Sequence, residues 1–312
     1  MTAAIDVAVA ILIRADGRVL LAQRPAGKVY GGWWEFPGGK IEPGEAPARA
    51  LERELYEELG VEAERAYPWI TRVFTYPHAT VRLHFFRVLA WRGEPHGREG
   101  QAFAWQELDA LTVGPVLPAN GPVLKSLALP TEYAISNASE VGEARFLAAL
   151  EVRLAAGLRL VQLREKAMPR ERLTALARRV VAAAVRCGAI VLVNGDAALA
   201  CEVGAHGVHL TARQLAEAAG RPALDWVGAS CHTAAGLRAA EVLGADFAVL
   251  GPVAATPTHP GVLMLGWDGF EAAARDAVIP VFALGGMRRV NLERAWSCGA
   301  HGVAMIRGAW EG

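Results

Sequence analysis

Residues 39–61 read GKIEPGEAPARALERELYEELGV. Gly39 is followed after five residues by Glu45, after seven more by Arg53-Glu54-Leu55, and then by Glu57-Glu58 and Gly60-Val61. If each fixed Gly, Glu or Arg has a chance of roughly 7%, seven of them fall into register by accident about once in 10^8 starts, so the spacing is not composition alone. Pro47 suits the first turn of a helix, Gly60 suits its left-handed end, and no breaker lies between them, which predicts a helix over about 46–59. Leu51, Leu55 and Leu59 then make an apolar stripe that docks on a core, while Glu54, Glu57 and Glu58 share the neighbouring face at i, i+3 and i+4. Like charges so spaced oppose the helix by about 0.2–0.5 kcal/mol per pair, and a positive charge has to answer them. Hard carboxylate oxygens grouped this way suit Mg2+, which takes a few carboxylates and completes its shell with substrate phosphates.

Around this stretch lie 312 residues, the length of two domains that can each bury a core. Hydrophobic residues make up 53% and charged residues 21%, as in a soluble globular protein. The 32 basic and 32 acidic residues cancel, so no global field draws the chain to nucleic acid or to a membrane surface. The apolar run at 7–13 is too short to span a bilayer and follows no basic segment; neither a signal peptide nor a transmembrane helix is expected, and the location is read as cytoplasmic. Cys187, Cys201, Cys231 and Cys298 show no CxxC spacing and read as reduced thiols. The closest His pair, His206 and His209, fits a strand and its entry turn better than a zinc site.

In the first half, residues 5–14 alternate and are rich in β-branched side chains, Asp16-Gly17 marks a hairpin turn, and 19–23 continue on its far side, so two paired strands are expected to open a sheet. The glycines of GGWWEFPGG, 31–39, allow sharp turns and close backbone approach ahead of the helix. Strands at 69–76 and 81–91 and a turn-rich stretch at 92–100 complete an α+β sandwich that carries the helix on its sheet.

The signature in 39–61 resembles that of the Nudix hydrolases without a departure. The run AQRPAGKVYGGWWEFPGGKIEPGE at 22–45, REGQ at 98–101 and LPANGPV at 117–123 resemble the MutT-type branch, which hydrolyses 8-oxo-dGTP to the monophosphate and pyrophosphate; the resemblance covers 3 to about 128. It implies a Mg2+ enzyme, with Mn2+ as an alternative ion, in which Glu54, Glu57, Glu58, Glu99 and the backbone at Gly39 hold metal. Arg53 would orient the glutamates through charge-assisted hydrogen bonds. Arg24 and Phe36 match positions that contact the nucleotide, and Asn120 matches an asparagine that reads the purine edge, a role suited to an amide with a donor and an acceptor side by side. Where the branch carries Asp-Arg in a loop that closes over the base, this chain has His78-Ala79 and lacks that arginine donor.

The clearest boundary is Ala-Leu-Pro-Thr at 128–131, which divides a Nudix-like domain at 1–128 from a second domain at 133–312 through a linker at 129–132. Beyond it, apolar strands at 133–136, 160–163, 190–193, 207–210, 226–229, 247–250, 281–284 and 302–305 alternate with helical stretches. GAHGV at 204–208, GADFA at 244–248 and GAHGV at 299–303 recur just before strands, as in a repeated βα unit, and eight units close a TIM barrel with its site at the strand C-termini. The last helix must be short. The expected fold class is therefore α/β overall, an N-terminal α+β sandwich followed by a (β/α)8 barrel.

VQLREK at 161–166, GVHL at 207–210, GP at 251–252 with TPT at 256–258, and ALGGM at 283–287 resemble thiamine phosphate synthase and its TenI-type relatives. The resemblance implies a site in which Gln162, Arg164 and Lys166 hold a pyrophosphate, with Asn194, Thr256, Thr258 and Gly286 among the phosphate-binding positions, and backbone N–H groups near Gly285-Gly286 and the turn at 305–308 hold a phosphate. His232 matches a histidine that the tautomerase relatives use for proton transfer. The synthase's magnesium-binding aspartates are replaced here by Asn194-Gly195 and by 211–214, Thr-Ala-Arg-Gln, and an expected lysine by His259, so no synthase reaction is expected. The reading from sequence is a Mg2+-dependent hydrolase of nucleoside triphosphates, most plainly of 8-oxo-dGTP, fused to a barrel that takes a thiamine-pathway phosphate. Its alternatives are two enzymes of thiamine metabolism, or a barrel that only senses a phosphate ligand. Neither nucleic acid nor a membrane is an expected partner.

Overall fold

The glutamate stretch is helical from Pro47 to Leu59 (α1) in the computed structural model, which describes residues 4–98, 100–255 and 263–311. Ala46 is the extended N-cap residue, and Gly60 ends the helix at φ 67 with its N–H on the Tyr56 carbonyl. Ala50, Leu51, Leu55 and Leu59 are buried. Burying each leucine contributes about 1.5–3 kcal/mol, which outweighs the about 0.2–0.5 kcal/mol that each glutamate pair costs the helix. The chain divides into two compact units, Met1–Ala128 and Leu129–Gly312.

In the first unit β1 (Ile5–Leu12), β4 (Gly38–Lys40), β5 (Glu62–Thr75) and β6 (Thr80–Arg92) form one sheet in the order β4-β1-β6-β5; β2 (Val19–Gln23), β3 (Trp34–Glu35) and β7 (Phe103–Gln106) form another in the order β3-β2-β7. β1 runs parallel to β6 and is buried on both faces. Its Val9 and Ile11 join Trp34, Phe36, Trp69, Phe85 and Val123, the last from α2 (Gly121–Leu127), whereas Ala8, Ala10 and Leu12 join the α1 leucines. The turn at Asp16-Gly17 does reverse the chain, but the strands it joins lie in separate sheets and touch through the Ile13–Val19 bridge. That corrects the paired hairpin read from sequence: β1 is a central strand that fills both edges with β4 and β6, which leaves none for β2. β5 and β6 run longer than their apolar alternation, and β7 was not read at all.

The second unit is a closed barrel of parallel strands β8 (Glu132–Ile135), β9 (Leu160–Leu163), β10 (Ile190–Asn194), β11 (Gly207–Leu210), β12 (Trp226–Cys231), β13 (Phe247–Leu250), β14 (Val281–Leu284) and β15 (Gly302–Met305). Helices α3 (Ala138–Val141), α4 (Glu143–Ala155), α5 (Arg170–Val185), α6 (Ala197–Val203), α7 (Ala212–Glu217), α8 (Ala234–Leu243), α9 (Gly266–Ala274) and α10 (Leu292–Ser297) lie between the strands in sequence. Strand residues alternate as the pleat requires. Tyr133, Leu160, Leu192, Phe247 and Phe282 fill the interior, while Val161, Val191, Val208, Val227, Ala248 and Val303 join the core that also holds the buried helix residues. The repeated glycines are helix ends: Gly204 closes α6 and Gly244 closes α8, both left-handed. Leu129, in the stretch read as a linker, is buried in the barrel's interior cluster. Among the described residues only a 3-10 turn, Arg307–Ala309, follows β15, and no helix is long and apolar enough to cross a membrane.

Candidate active site and barrel mouth

The answer to the charge on α1 is Arg53. Its Nε and Nη2 grip both oxygens of Glu45 at 3.1 and 2.9 Å, Nη2 also reaches the Lys40 carbonyl at 2.9 Å, and Nη1 reaches Glu54 at 2.7 Å and Glu57 at 3.3 Å. The hydrogen bonds from Glu45 and then Glu54 push the guanidinium further above its ordinary range, and the same contact with Arg53 holds Glu45 below the usual carboxylate value. Glu45 belongs to the sequence pattern, but its role as the anchor of Arg53 could not be read from spacing alone. Glu58 accepts from the Gly38 backbone N–H at 3.1 Å. Glu54 lies against the bare Cα of Gly39, where an added Cβ would fall 2.1 Å from its carboxyl carbon. So β4 and α1 bring Gly39, Arg53, Glu54, Glu57 and Glu58 together as expected, whereas Glu99 lies outside the described residues.

Among the described residues no three Asp, Glu, His or Cys side chains form a closed metal cage. The donor set nonetheless fits Mg2+. That ion uses one or two carboxylates with water and substrate phosphates rather than an all-protein cage. Glu54 is held by Arg53 in the space that Gly39 leaves open, and Glu57 is exposed.

On the face of β1 away from α1, Trp34, Phe36 and Ala119 belong to the core cluster that also holds Val9 and Ile11. Phe36 is a core residue, edge-on to Phe85 at 6.4 Å. Arg24 is occupied: Nη1 pairs with Glu35 at 2.6 Å and Nε donates to the Val29 carbonyl at 2.8 Å. Burial raises the Glu35 carboxyl, against the opposing pull of Arg24. Asn120 is 5% exposed, and as N-cap of α2 its side chain makes no cap hydrogen bond. Tyr30, Glu35 and Tyr76, which sequence reading missed, are gathered here by segments far apart in the chain.

In the barrel, Gln162, Arg164, Lys166, Asn194, His232 and Gly286 all line one cavity of about 400 Å³ at the strand C-termini; Thr256 and Thr258 lie outside the described residues. Arg164 and Lys166 have no salt-bridge partner among the described residues. Burial lowers the Arg164 guanidinium, and the adjacent Arg164 charge, then burial, lowers the Lys166 amine. Glu165 between them turns inward and accepts from Ser136 Oγ, Ala138 N and Ser139 N at 2.5, 2.8 and 2.7 Å. Behind the cavity runs a chain that the sequence did not announce: Gln162 Nε2 donates to Tyr133 Oη at 2.9 Å, which meets His209 Nδ1 at 3.2 Å, and His209 Nε2 meets Ser230 Oγ at 3.0 Å. Burial pushes His209 down to about 3, so it is neutral. The His232 Nδ1–H donates to the Gly251 carbonyl at 2.6 Å, which leaves Nε2 as the ring's acceptor. Thr211 and Gln214 form the capping box of α7, and Gln214 also donates to the Gly195 carbonyl, so no carboxylate stands at those positions.

Carboxylates gathered on one helix face and tied to a single arginine suit a hydrolase of phosphoric anhydrides, and a cationic cavity at the C-terminal ends of barrel strands suits a phosphate-binding TIM barrel. The family model described as NUDIX domain matches residues 4–127 and that described as Thiamine monophosphate synthase matches 132–309, so the chain belongs to both families and is a fusion of the two. Its first unit is a Nudix hydrolase, a class that generally uses divalent metals such as Mg2+. That unit is 42% identical to the 8-oxo-dGTP diphosphatase of Haemophilus influenzae, over 39% of this chain and 90% of the relative. It is 39% identical to the CTP pyrophosphohydrolase of Escherichia coli, over 38% of this chain and 87% of the relative. The barrel is 39% identical to the thiamine-phosphate synthase of Thioalkalivibrio sulfidiphilus, over 51% of this chain and 78% of the relative.

Proposed function

We propose that the Nudix unit hydrolyses 8-oxo-dGTP to 8-oxo-dGMP and pyrophosphate with Mg2+, keeping oxidised purines out of replicated DNA. The observation that carries this reading is the place of Asn120, an amide residue only 5% exposed at the start of α2 whose side chain is not spent on capping that helix. Oxidation at C8 turns the N7 acceptor of guanine into an N–H donor next to the O6 acceptor. An amide, with its own donor and acceptor side by side, meets both, whereas unoxidised guanine offers two acceptors, so the amide N–H finds a partner and the amide oxygen faces an acceptor. A site whose buried polar groups go unpaired with the wrong substrate discriminates against it.

Glu54, Glu57, Glu58 and Glu99, with the Gly39 backbone, would hold the ion, which when bound neutralises the phosphates and acidifies an attacking water. The chain's own residues do the positioning. Glu45 fixes Arg53, Arg53 fixes Glu54 and Glu57, and Gly38 fixes Glu58. Gly39 leaves room for the Glu54 carboxyl beside the strand.

For the barrel, we propose binding of a thiamine-pathway phosphate through Arg164, Lys166 and the Gly286 turn, without the synthase reaction. The support is its lining among the described residues: Arg164 and Lys166 without a salt-bridge partner, beside Arg288, 3.5 Å from Glu311, and Arg307, 2.6 Å from Glu140. A second reading makes both units enzymes of thiamine metabolism, the barrel shuttling a proton on a thiazole; the open Nε2 of His232 favours it.

The test is kcat/KM of the purified protein with Mg2+ on 8-oxo-dGTP, dGTP, CTP and thiamine-pathway pyrophosphates, with Glu57→Gln as blank. A preference for 8-oxo-dGTP that disappears in the variant supports the first reading. Preference for a thiamine-pathway pyrophosphate would sink it and support the second.

A further inference from the structure

The last turn of α1 carries Glu57 and Glu58 and no basic residue. An α-helix leaves its last four C=O groups without an intrahelical partner, and that end is the negative end of its dipole. The two residues after the helix answer in part: the Gly60 N–H donates to the Tyr56 carbonyl at 3.0 Å and the Val61 N–H to the Leu55 carbonyl at 3.4 Å. The other answers come from His96, Arg98 and Gln101. Arg98 Nη1 donates to the Tyr56 carbonyl at 2.9 Å, the Arg98 backbone N–H and Gln101 Nε2 each donate to the Glu58 carbonyl at 3.0 Å, and the His96 backbone N–H donates to the Leu59 carbonyl at 3.1 Å. The Arg98 guanidinium also lies over the Tyr56 ring, 4.8 Å from its centroid. The His96 ring sits so close to the helix end that a Cβ added at Gly60 would fall 2.4 Å from its Cε1.

Glu58 is thereby held at both ends. Its carboxylate accepts from the Gly38 N–H at 3.1 Å, and its carbonyl accepts from Arg98 and Gln101. Arg53 fixes the side chains of Glu54 and Glu57 from within the helix. The backbone of the last turn depends instead on side chains 42 and 43 residues further along the chain. A helix end frays when its carbonyls go unmet, and fraying here would release the two residues whose carboxylates matter most.

We propose that Arg98 and Gln101 are positioning residues of the hydrolase: by closing the last turn of α1 they set the backbone from which Glu57 and Glu58 offer their carboxylates to a divalent cation. This rests on the reading that those glutamates hold the ion. Arg98 and Gln101 donate to backbone carbonyls, so they act through α1 and are not themselves ligands. One hydrogen bond shifts an equilibrium by a factor of about two to ten, which is the size of effect each residue can exert.

The experiment makes two measurements on the full chain without nucleotide: Mn2+ binding, followed by the paramagnetic resonance of the free ion, and hydrogen exchange of the amides at 57–61. The variants are Arg98→Ala, Arg98→Lys, Gln101→Met, which keeps the length of the side chain and removes the donor, Glu57→Gln and Ile70→Val. Arg98→Ala and Gln101→Met should each weaken Mn2+ binding and speed exchange of the last turn by about two- to tenfold. Arg98→Lys should recover most of both, because an ammonium still donates to the Tyr56 carbonyl. Glu57→Gln should weaken Mn2+ binding and leave exchange alone, as a ligand does. Ile70→Val thins the core cluster on the face of β1 away from α1 and should lower the melting temperature without either change. Unchanged Mn2+ affinity in Arg98→Ala or in Gln101→Met removes that residue from the role. Weaker affinity with unchanged exchange, or an equal loss in Ile70→Val, overturns the positioning itself. If Arg98→Ala fails to fold, Gln101→Met decides by the same criteria. A wild type that takes up no Mn2+, or a Glu57→Gln that binds it as tightly, sinks the metal reading and the proposal with it.

Discussion

Gly39→Ala separates the placement of Glu54 from the stability of the fold. A Cβ at this position would lie 2.1 Å from Glu54 Cδ and 2.2 Å from both carboxyl oxygens. Carbon contacts are comfortable at about 3.5–4.0 Å, so the carboxyl must retreat by roughly 1.5 Å. The obstructing atoms are the end of a flexible side chain and the Gly39 backbone is not left-handed, so the cost in stability should stay within about 1 kcal/mol. Misplacing a catalytic group by about 1 Å can cost on the order of 100-fold in rate. The expected result is a kcat about 100-fold below wild type with a melting temperature shifted by only a few degrees. Gly38→Ala is the contrast, since its φ is 148 and its Cβ would meet the Ala8 carbonyl oxygen at 2.1 Å. Neither problem can be relieved by a rotamer, and a loss on the order of 3 kcal/mol is expected. Pyrophosphate release from 8-oxo-dGTP and calorimetry on both variants provide the readouts. A Gly39→Ala enzyme within threefold of wild type would refute the placement of Glu54, and one as unstable as Gly38→Ala would refute the steric reasoning.

His209 should make the barrel sensitive to acid. Its folded value is pushed down to about 3 from 6.5, so between those pH values the unfolded chain binds a proton that the folded one does not; stability is complete above about 6.5 and falls as pH drops through the window. His209→Gln should flatten that part of the profile in urea unfolding at pH 5 and 7, and an unchanged slope would count against it. Glu165→Ala leaves three donors without their acceptor, each worth about 1–3 kcal/mol if unsatisfied, and should lower barrel stability by at least 2 kcal/mol in the same assay. Cys201 is exposed and should react first with a thiol reagent at pH 8, while Cys231, buried and pushed up to about 12 by that burial, should stay unmodified until the protein unfolds. Equal labelling of the two in native protein would contradict this.

What could be read from sequence was what neighbours along the chain decide. The ends of α1 follow from Pro47 and Gly60, and its stripe from the period of Leu51, Leu55 and Leu59. Barrel strands buried on both faces show as short apolar runs, and left-handed glycines at the ends of α6 and α8 mark the repeat. Sheet membership was not legible, because the turn after β1 specifies a reversal but not a partner, and β1 pairs with β6, whose Val81 stands opposite Ile5. The same limit divides the sites. Glu54, Glu57 and Glu58 lie within two helical turns, whereas Tyr30 meets Tyr76 and Tyr133 meets His209 only through the fold.

Two arginine-glutamate neighbours, alike in sequence, show how far the fold decides what a charge does. In Arg53-Glu54 the cation is consumed by Glu45, Glu54, Glu57 and the Lys40 carbonyl, while the surplus of carboxylates leaves that helix face acidic, with Glu57 exposed. In Arg164-Glu165 the acid is consumed by a hydroxyl and two backbone N–H groups, while Arg164 and its neighbour Lys166 face the cavity unpaired among the described residues. The first arrangement repels a bare phosphate and admits one that arrives with a cation. The second attracts a phosphate directly and gains nothing from a cation, which the mutual repulsion of Arg164 and Lys166 already disfavours. A divalent ion should therefore be required for ligand binding in the first unit and dispensable in the second, which follows from where two adjacent side chains point rather than from their identity.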